Sequence, residues 1–436
     1  MSSFPKKIFE MMRTSQYWPP AAMLDFQRSQ LSQLLIHAYA NSPFYKERLK
    51  VLFDHNGEVD WRRWDEVPIT KRSDLRDRGK DMLAVQLPPG HVATYEYSTS
   101  GSSGVPISVT YGNVFVAASQ AARYRAFIWH DIDYTKMRGR LTEMQTEDWE
   151  REIEFRMGKW GPPWETIAAQ GDELIVNLKL DTAKQLSIMS QWPLNYLSVF
   201  PISGELIARI NCQLSKPLQL ECVITHGQET TEEQVDLFRD SFNARCMQTY
   251  SSKESGKIAF NCPSHGNFHV NSETMFLEIV DEHDQPCSPG KPGRIIITPF
   301  FNSAHPLIRY EQGDIGVLGE TCGCGRTLPV LKSILGRLDP IWRFPDGRGL
   351  VPRVSAKFMR EKLNALAFQI AQIAPLIVEV RYIPASPGFT LYEDPVRQHI
   401  HDVIGFDIAV QFKQVTVLPA NPGGKTQRYT YEYKAQ

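Results

Sequence analysis

The shortages in this sequence narrow its function first. Of 436 residues, 48 are Lys or Arg and 49 are Asp or Glu, leaving a formal charge of −1. A balance this close gives no electrostatic reason to expect nucleic acid or an anionic membrane as partner. No segment is apolar for long enough to predict a bilayer-spanning helix, and Met1-Ser2-Ser3-Phe4-Pro5-Lys6-Lys7 lacks the apolar run of a signal peptide. Cysteine is scarce and odd in number, seven in all, scattered except for Cys322 and Cys324. That pattern speaks against a disulfide framework and for a reduced, cytoplasmic setting. Internal repeats and low-complexity tracts are absent. What remains is the expectation of a globular intracellular chain, long enough for roughly two or three domains.

What is present starts with Tyr97-Ser98-Thr99-Ser100-Gly101-Ser102-Ser103-Gly104-Val105-Pro106. Hydroxyl side chains and two glycines sit between β-rich runs, His91 to Tyr97 and Ile107 to Tyr111. Glycine permits a tight fold-back and close ligand approach, and consecutive N–H groups in such a loop make a nest for an anion. The loop is not a Walker A, because no Gly-Lys-Ser/Thr closes it and a strand follows. A plain Ser/Gly hairpin loop is the competing reading, and the rest of the chain must decide.

Residues 1–90 are helix-rich by pattern, with Leu31, Leu34, Leu35 and Ala38 at helical spacing up to Asn41-Ser42-Pro43. Val114 to His130 predicts a helix burying Phe115, Ala118, Ala122, Ala126 and Trp129. Trp149, Trp160 and Trp164 interleave with charge, and a loop packed on the core accounts for them more simply than a pocket wall does. From Glu173, short apolar strands alternate with helices: Glu173 to Leu178, Thr182 to Gln191, Tyr196 to Phe200, Gly204 to Cys212, Cys222 to Thr225, Thr231 to Phe242 and Cys246 to Tyr250. Alternation of this kind predicts an α/β fold with helix-covered parallel sheets, whose ligands gather at the C-terminal strand ends. There lie His226-Gly227-Gln228-Glu229 and, after Tyr250, the turn Ser251-Ser252-Lys253-Glu254-Ser255-Gly256. A β run from Arg294 to Phe300 leads on to Asp314, expected at a strand-to-turn boundary.

Three features stand in one order: the hydroxyl loop, Tyr250-x-x-x-Glu254, and Arg309-Tyr310-x-x-Gly313-Asp314. Gly336-Arg337-Leu338-Asp339 follows. Together they resemble the adenylate-forming superfamily of acyl-CoA synthetases, adenylation domains and luciferases. Within it the likeness is to the phenylacetate–CoA ligase branch, nearer its capsule-locus and coenzyme F390 synthetase relatives. It is carried by Pro306 to Asp314 and by Cys322 to Arg326, and it spans about residues 90–430. The resemblance implies a large adenylation domain and a small mobile α+β lid. Residues 1–90 would be a helical part of the large domain, 91–337 its ATP- and acid-binding core, and 338–436 the lid.

The same resemblance implies roles. Ser98, Thr99, Ser100, Gly101, Ser102, Ser103 and Gly104 would wrap the β- and γ-phosphates of ATP. Gly227, Gln228 and Glu229 would line the adenine and acyl pocket, with Tyr250 packed on adenine. Glu254 would hold Mg2+, Asp314 the ribose hydroxyls, and Arg337 the ribose or phosphate region. Asp339 matches the hinge, and Lys425, after Gly423-Gly424, is the candidate adenylation lysine. A carboxylate attacking an α-phosphate brings two anions together, so the transition state needs such cations. The sequence departs from the pattern in three places: Val105-Pro106 where relatives carry a lysine, Gln312 in place of threonine, and the 340–349 segment after the hinge. The last bears on the CoA half-reaction more than on adenylation.

Independently of that likeness, Cys262-Pro263-Ser264-His265-Gly266 and Cys322-Gly323-Cys324-Gly325 read as two zinc knuckles. Cys262, His265, Cys322 and Cys324 make a closed set for a structural zinc, with His269 in reserve. In the C-terminal part, Val354 to Ile370 is expected to be one amphipathic helix, Leu376 to Tyr382 a strand, Pro395 to Ile404 a helix and Asp407 to Leu418 a strand. The functional expectation is ATP-dependent activation of a small carboxylic acid, an aromatic one, with transfer to CoA. Transfer to an amine or a carrier-protein thiol is the alternative, as is a non-catalytic nucleotide-binding relative. Trp149, Trp160 and the Gln228 turn are the candidate walls of an aromatic pocket, and a homodimer is left open.

Overall fold

The computed structural model describes residues 4–98, 107–144, 151–166, 169–337, 342–350, 352, 354–385, 391–405, 407–421 and 426–433; at 98, 336 and 337 it describes backbone alone. Thr99 to Gly104, Trp149, Asp339 and Lys425 therefore lie outside the described residues. Among those described, no helix is long and apolar enough to cross a membrane.

A mixed sheet of twelve strands organises the larger part. Its parallel portion is Glu173–Asn177, Arg138–Thr142, Tyr196–Val199, Cys222–His226 and Arg245–Ser252, in that spatial order. Beyond Arg245–Ser252 the pairing turns antiparallel through Gly256–Asn261, Phe268–Val270, Val330–Arg337, Tyr310–Leu318, Pro292–Pro299 and Met275–Val280, and Ile153–Arg156 closes the far edge. Helices Thr182–Met189, Pro201–Asn211 and Glu232–Phe242 cover one face of the parallel portion, burying Leu141, Leu174, Leu197 and Val223. Helix Asn113–Trp129 lies on the other face with Tyr196, Cys222, Ile224 and Met247. Strands buried on both sides read as the continuous apolar runs seen in the sequence.

The expected helix-rich start is present as Phe4–Ser15, Pro20–Asn41, Pro43–Arg48 and Arg72–Met82. Trp160 is 1% exposed and donates from Nε1 to the Lys136 carbonyl at 2.8 Å, and Trp164 packs on Phe9 at 5.0 Å. Both belong to a packed loop. With its ring enclosed, Trp160 is no open wall of a pocket.

Two expectations are corrected. Asp314 is not at a strand end: Tyr310–Leu318 is one strand, in which Gly313 has φ +77 and the register shifts between Asp314 and Gly316. The left-handed glycine and the irregular pairing re-aim Asp314 inside the strand. The 354–370 stretch is not one helix. It is a helix over Ala356–Leu363, ended by Asn364 at φ 39, and then the strand Ala365–Ala374. Both faces of that strand are covered, one by Met359, Leu363, Val396 and Ile400, the other toward the Pro201–Asn211 helix. A doubly buried strand loses the alternation that tells it from a helix. It centres a four-stranded sheet ordered Ala409–Gln414, Ile377–Pro384, Ala365–Ala374, Tyr429–Tyr431, backed by the Glu393–Ile404 helix.

Candidate active site

The turn after Arg245–Ser252 gathers side chains from distant parts of the chain. Tyr250 donates its hydroxyl to Asp314 Oδ2 at 2.7 Å. Gln312 Nε2 donates to Ser255 Oγ, holding the strand that bears Asp314 against the same turn. Glu254 is 3% exposed and accepts from Arg72 Nη1 at 3.0 Å, across the N-terminus of the Arg72–Met82 helix. Tyr111, on the strand that returns from the hydroxyl loop, donates to the Lys253 carbonyl. Burial, then the charges of Tyr97, Glu254 and Tyr95, push the Tyr111 phenol up. The hairpin Ala93–Ser98/Ser108–Gly112 is thereby anchored beside Glu254, with Ser98 opposite Ser108 at its tip.

Gly256 shows why this turn is built as it is. Its φ is +71, and a Cβ there would lie 2.6 Å from Ser119 Oγ and 2.8 Å from Phe115 Cζ of the Asn113–Trp129 helix. Only glycine lets the turn close this tightly on the helix that follows the hydroxyl loop.

The Gly227-Gln228-Glu229 bend meets the C-terminal unit. Gln228 Nε2 donates to the Thr426 carbonyl at 2.6 Å, next in sequence to Lys425. Gln228 Oε1 is buried and accepts nothing among the described residues, an acceptor available to an exocyclic amine such as adenine's. Arg337 stands opposite Asp314 in the strand register. Arg309, in the same sequence string, is no ligand residue. It is 1% exposed at φ 48, donates to the Asp65 and Val67 carbonyls at 3.2 and 2.8 Å, and pairs with Glu278 at 3.0 Å.

Around this centre a nucleotide fits by donor chemistry. Glu254 offers Oε2, which has no hydrogen-bond partner among the described residues, and no second carboxylate joins it in a metal cluster there. A magnesium ion would thus take one protein oxygen and complete its shell with phosphate and water, as is usual for that ion. The sequence missed Arg72 and Tyr111. Neither carries a motif, and each reaches the site only through packing.

At the opposite end of the antiparallel strands, Cys262, His269, Cys322 and Cys324 place their ligand atoms within 4.8 Å of one another. The reserve histidine completes this set. His265, exposed where His269 is buried, also lies against these sulfurs, its Nδ1 3.8 Å from Cys262 Sγ and 3.5 Å from Cys322 Sγ. Cys262 and Cys322 sulfurs are 3.8 Å apart. Two thiolates on a tetrahedral zinc, with bonds of about 2.3 Å, stand about 3.8 Å apart, so the donor set fits that ion.

No family model matches the chain. The phenylacetate-coenzyme A ligase of Thermus thermophilus is 25% identical over 344 residues, covering 74% of this chain and 72% of that protein. Among solved structures, 2-hydroxyisobutyryl-CoA ligase in its postadenylation state with an acyl-AMP superposes with a TM-score of 0.70 at 16% identity, over 96% of this chain and 93% of that one. The same ligase with acyl-AMP and CoA in the thioesterification state gives 0.61 at 16% identity over the same shares.

Proposed function

Since the chain belongs to the adenylate-forming superfamily, on its phenylacetate–CoA ligase-like branch, we propose that it activates a carboxylic acid with ATP as an acyl-adenylate and passes the acyl group to CoA. The observation that carries this is the meeting of Tyr250, Asp314 and Glu254 at one turn, with the residue after Lys425 docked on Gln228 nearby. In this reading Asp314 accepts from the ribose hydroxyls and Tyr250 orients it. Glu254 holds the magnesium, which supplies charge neutralisation at the phosphates when bound. Lys425 brings the second cation to the α-phosphate, where one such aimed charge is worth about 3–4 kcal/mol. Gly227 to Glu229 line the adenine and acid, Arg337 faces the ribose side, and Ser98 to Gly104 close over the outgoing pyrophosphate. Asp339 is the hinge between residues 91–337 and the lid.

The zinc reading joins the proposal as a structural ion on Cys262, Cys322, Cys324 and His269. It ties the 262 turn to the hairpin after Asp314 and takes no part in the chemistry. An aromatic acid is the finer part of the reading. A second acceptor, an amine or a carrier thiol, is favoured only by the departure of residues 340–349 from the thiolation segment of the relatives. Acid-dependent pyrophosphate exchange over aromatic and aliphatic acids, followed by thioester assay with CoA, tests all of this. Exchange and thioester together support the proposal. Exchange without thioester moves it to the other acceptor, and absence of exchange with every acid refutes it.

A further inference from the structure

Between the large sheet and the Asn113–Trp129 helix lie four cations that adenylation chemistry does not use, three on the sheet and one on the helix. Arg138 and Arg140 alternate along their strand with Gly139 and Leu141, which pack toward Leu194 and Leu197 on the opposite face. Both arginines therefore lie on the helix side. The Arg138 guanidinium sits 4.8 Å from the Trp160 ring, and that of Arg123, on the helix, 4.9 Å from Tyr124 and 5.8 Å from Phe127. Phe127 and Trp160 are themselves 5.8 Å apart, so one aromatic block carries both charges.

Lys257 reaches this face through a bulge. Thr249 pairs with Phe260 and Tyr250 with Ala259, but Ser251 pairs with Lys257, leaving Ile258 as the extra residue. Ile258 and Ala259 consequently pack in the same cluster, with Val270 and Met275, while Phe260 faces the helix. The doubled residue returns Lys257 to the side of Phe260. Lys257 thus stands three residues after Glu254, with its ammonium on the side of Arg123 and Arg138.

Among the described residues these charges are under-compensated. Glu173 is the buried carboxylate among them, bonded to Arg138 and 3.5 Å from Arg140 Nε. Glu154 on the flanking strand is paired with Arg156 at 2.6 Å. Among the described residues no acceptor pairs with the Lys257 ammonium, and Nε of Arg123, Arg138 and Arg140 is buried without an acceptor. Arg138 as a whole is 8% exposed. Lys257 is half-buried. Burial first, and then the Arg123 and Arg138 charges, pull its pKa down to about 8. Burying cations in excess of anions is unfavourable unless an anion is to be bound.

Resting on the adenylation reading, we infer that the acid substrate carries a second anionic group, which Lys257 receives with Arg123, Arg138 and Arg140 while the reacting carboxylate faces the nucleotide. The substrate class is a dicarboxylate or a carboxylic acid bearing a comparable anion, aromatic or aliphatic. A neutral acid would leave these cations with Glu173 as their buried counter-charge among the described residues, and polar sites reject such analogues strongly.

The test is acid-dependent pyrophosphate exchange without CoA, which reads the acid alone. Adipate, para-carboxyphenylacetate and para-phosphonophenylacetate are compared with hexanoate and para-methylphenylacetate. The expected kcat/KM ratio of anionic to neutral acid is about 100-fold or more in the native protein. It falls toward parity in Lys257→Met and in Arg123→Met, with folding checked by thermal unfolding. Each change replaces a charge by an apolar chain, and either variant suffices if the other does not fold. Exchange with neutral acids at equal or higher efficiency overturns this inference and leaves adenylation standing. So does a ratio unchanged in a folded variant. No exchange with any acid overturns both readings.

Discussion

Replacing Glu205 by Gln is the perturbation from which most can be learned about how the C-terminal unit is held. Glu205 is 1% exposed on the Pro201–Asn211 helix. It accepts from Gln234 Nε2 at 2.8 Å, from Arg209 Nη2 at 3.1 Å, from Arg360 Nη1 at 2.9 Å and from Arg428 Nη2 at 3.1 Å. Arg360 and Arg428 belong to the C-terminal unit, and Arg360 also meets Glu233. Burial pushes the Glu205 pKa up. The Arg428 and Arg360 charges, the Gln234 bond and the Arg209 charge outweigh it and hold the carboxyl below its ordinary value. Burial also pulls Arg360 down to about 10, with Glu205 opposing and the Arg209 and Arg428 charges adding to the fall. The site therefore depends on this carboxylate. Breaking a buried pair by removing one partner costs about 3–5 kcal/mol. Since two of the three guanidiniums lie across the interface, about 2–3 kcal/mol of that falls on docking, or about 30- to 150-fold in the docking equilibrium. Arg428 follows Lys425 closely in sequence, so on the proposed adenylation reading the docked form is the one that would present the lysine. E205Q should slow pyrophosphate exchange by about that factor while thioester formation from added acyl-adenylate keeps its rate. The pH dependence has a definite sign. A depressed folded pKa gives stabilisation that is complete above the unfolded value of about 4.3 and is lost as pH falls through the lower folded one. The native protein should thus lose docking only in acid, and E205Q should lack that acid limb. Equal slowing of both half-reactions, or of neither, would refute the reasoning.

Three further outcomes are expected. Tyr250→Phe removes one hydrogen bond to a carboxylate, worth about 1.5–3 kcal/mol, so the KM for ATP should rise about 10- to 100-fold with thermal stability little changed. A rise of less than twofold would mean that Asp314 does not need Tyr250. Lys425→Ala should lower exchange by about 100- to 1000-fold, and a loss below tenfold would remove that lysine from the mechanism. Purified protein should contain one structural zinc, read by elemental analysis. Its removal by a chelator, or Cys322→Ser, should lower the unfolding temperature with little immediate change in KM. Zinc retained in His269→Ala but lost in His265→Ala would reassign the fourth ligand.

Much of the architecture was legible because it rests on local rules. The helices and strands between Glu173 and Ser252 follow from period and length, and the motif order pointed to the residues that meet at the Tyr250–Glu254 turn. The strand Ala365–Ala374 was misread because burial on both faces erases alternation, and Asp314 because a left-handed glycine bent a strand without ending it. Neither effect leaves a periodic signature.

By itself the sequence determined which polar groups exist, in what order, and that cysteine pairs and a Ser/Gly loop stand among apolar runs. Only the tertiary structure decided which of them touch: Tyr250 with Asp314, Arg72 with Glu254, Thr426 with Gln228, His269 with three cysteines, Glu205 with the arginines of the C-terminal unit. It also decided, through one extra residue at Ile258, on which side of the sheet Lys257 falls. The physical reason is range. Backbone preference acts over a few residues, whereas charge pairing and hydrogen bonding act through space and are set only when the sheet has curled and the core has closed.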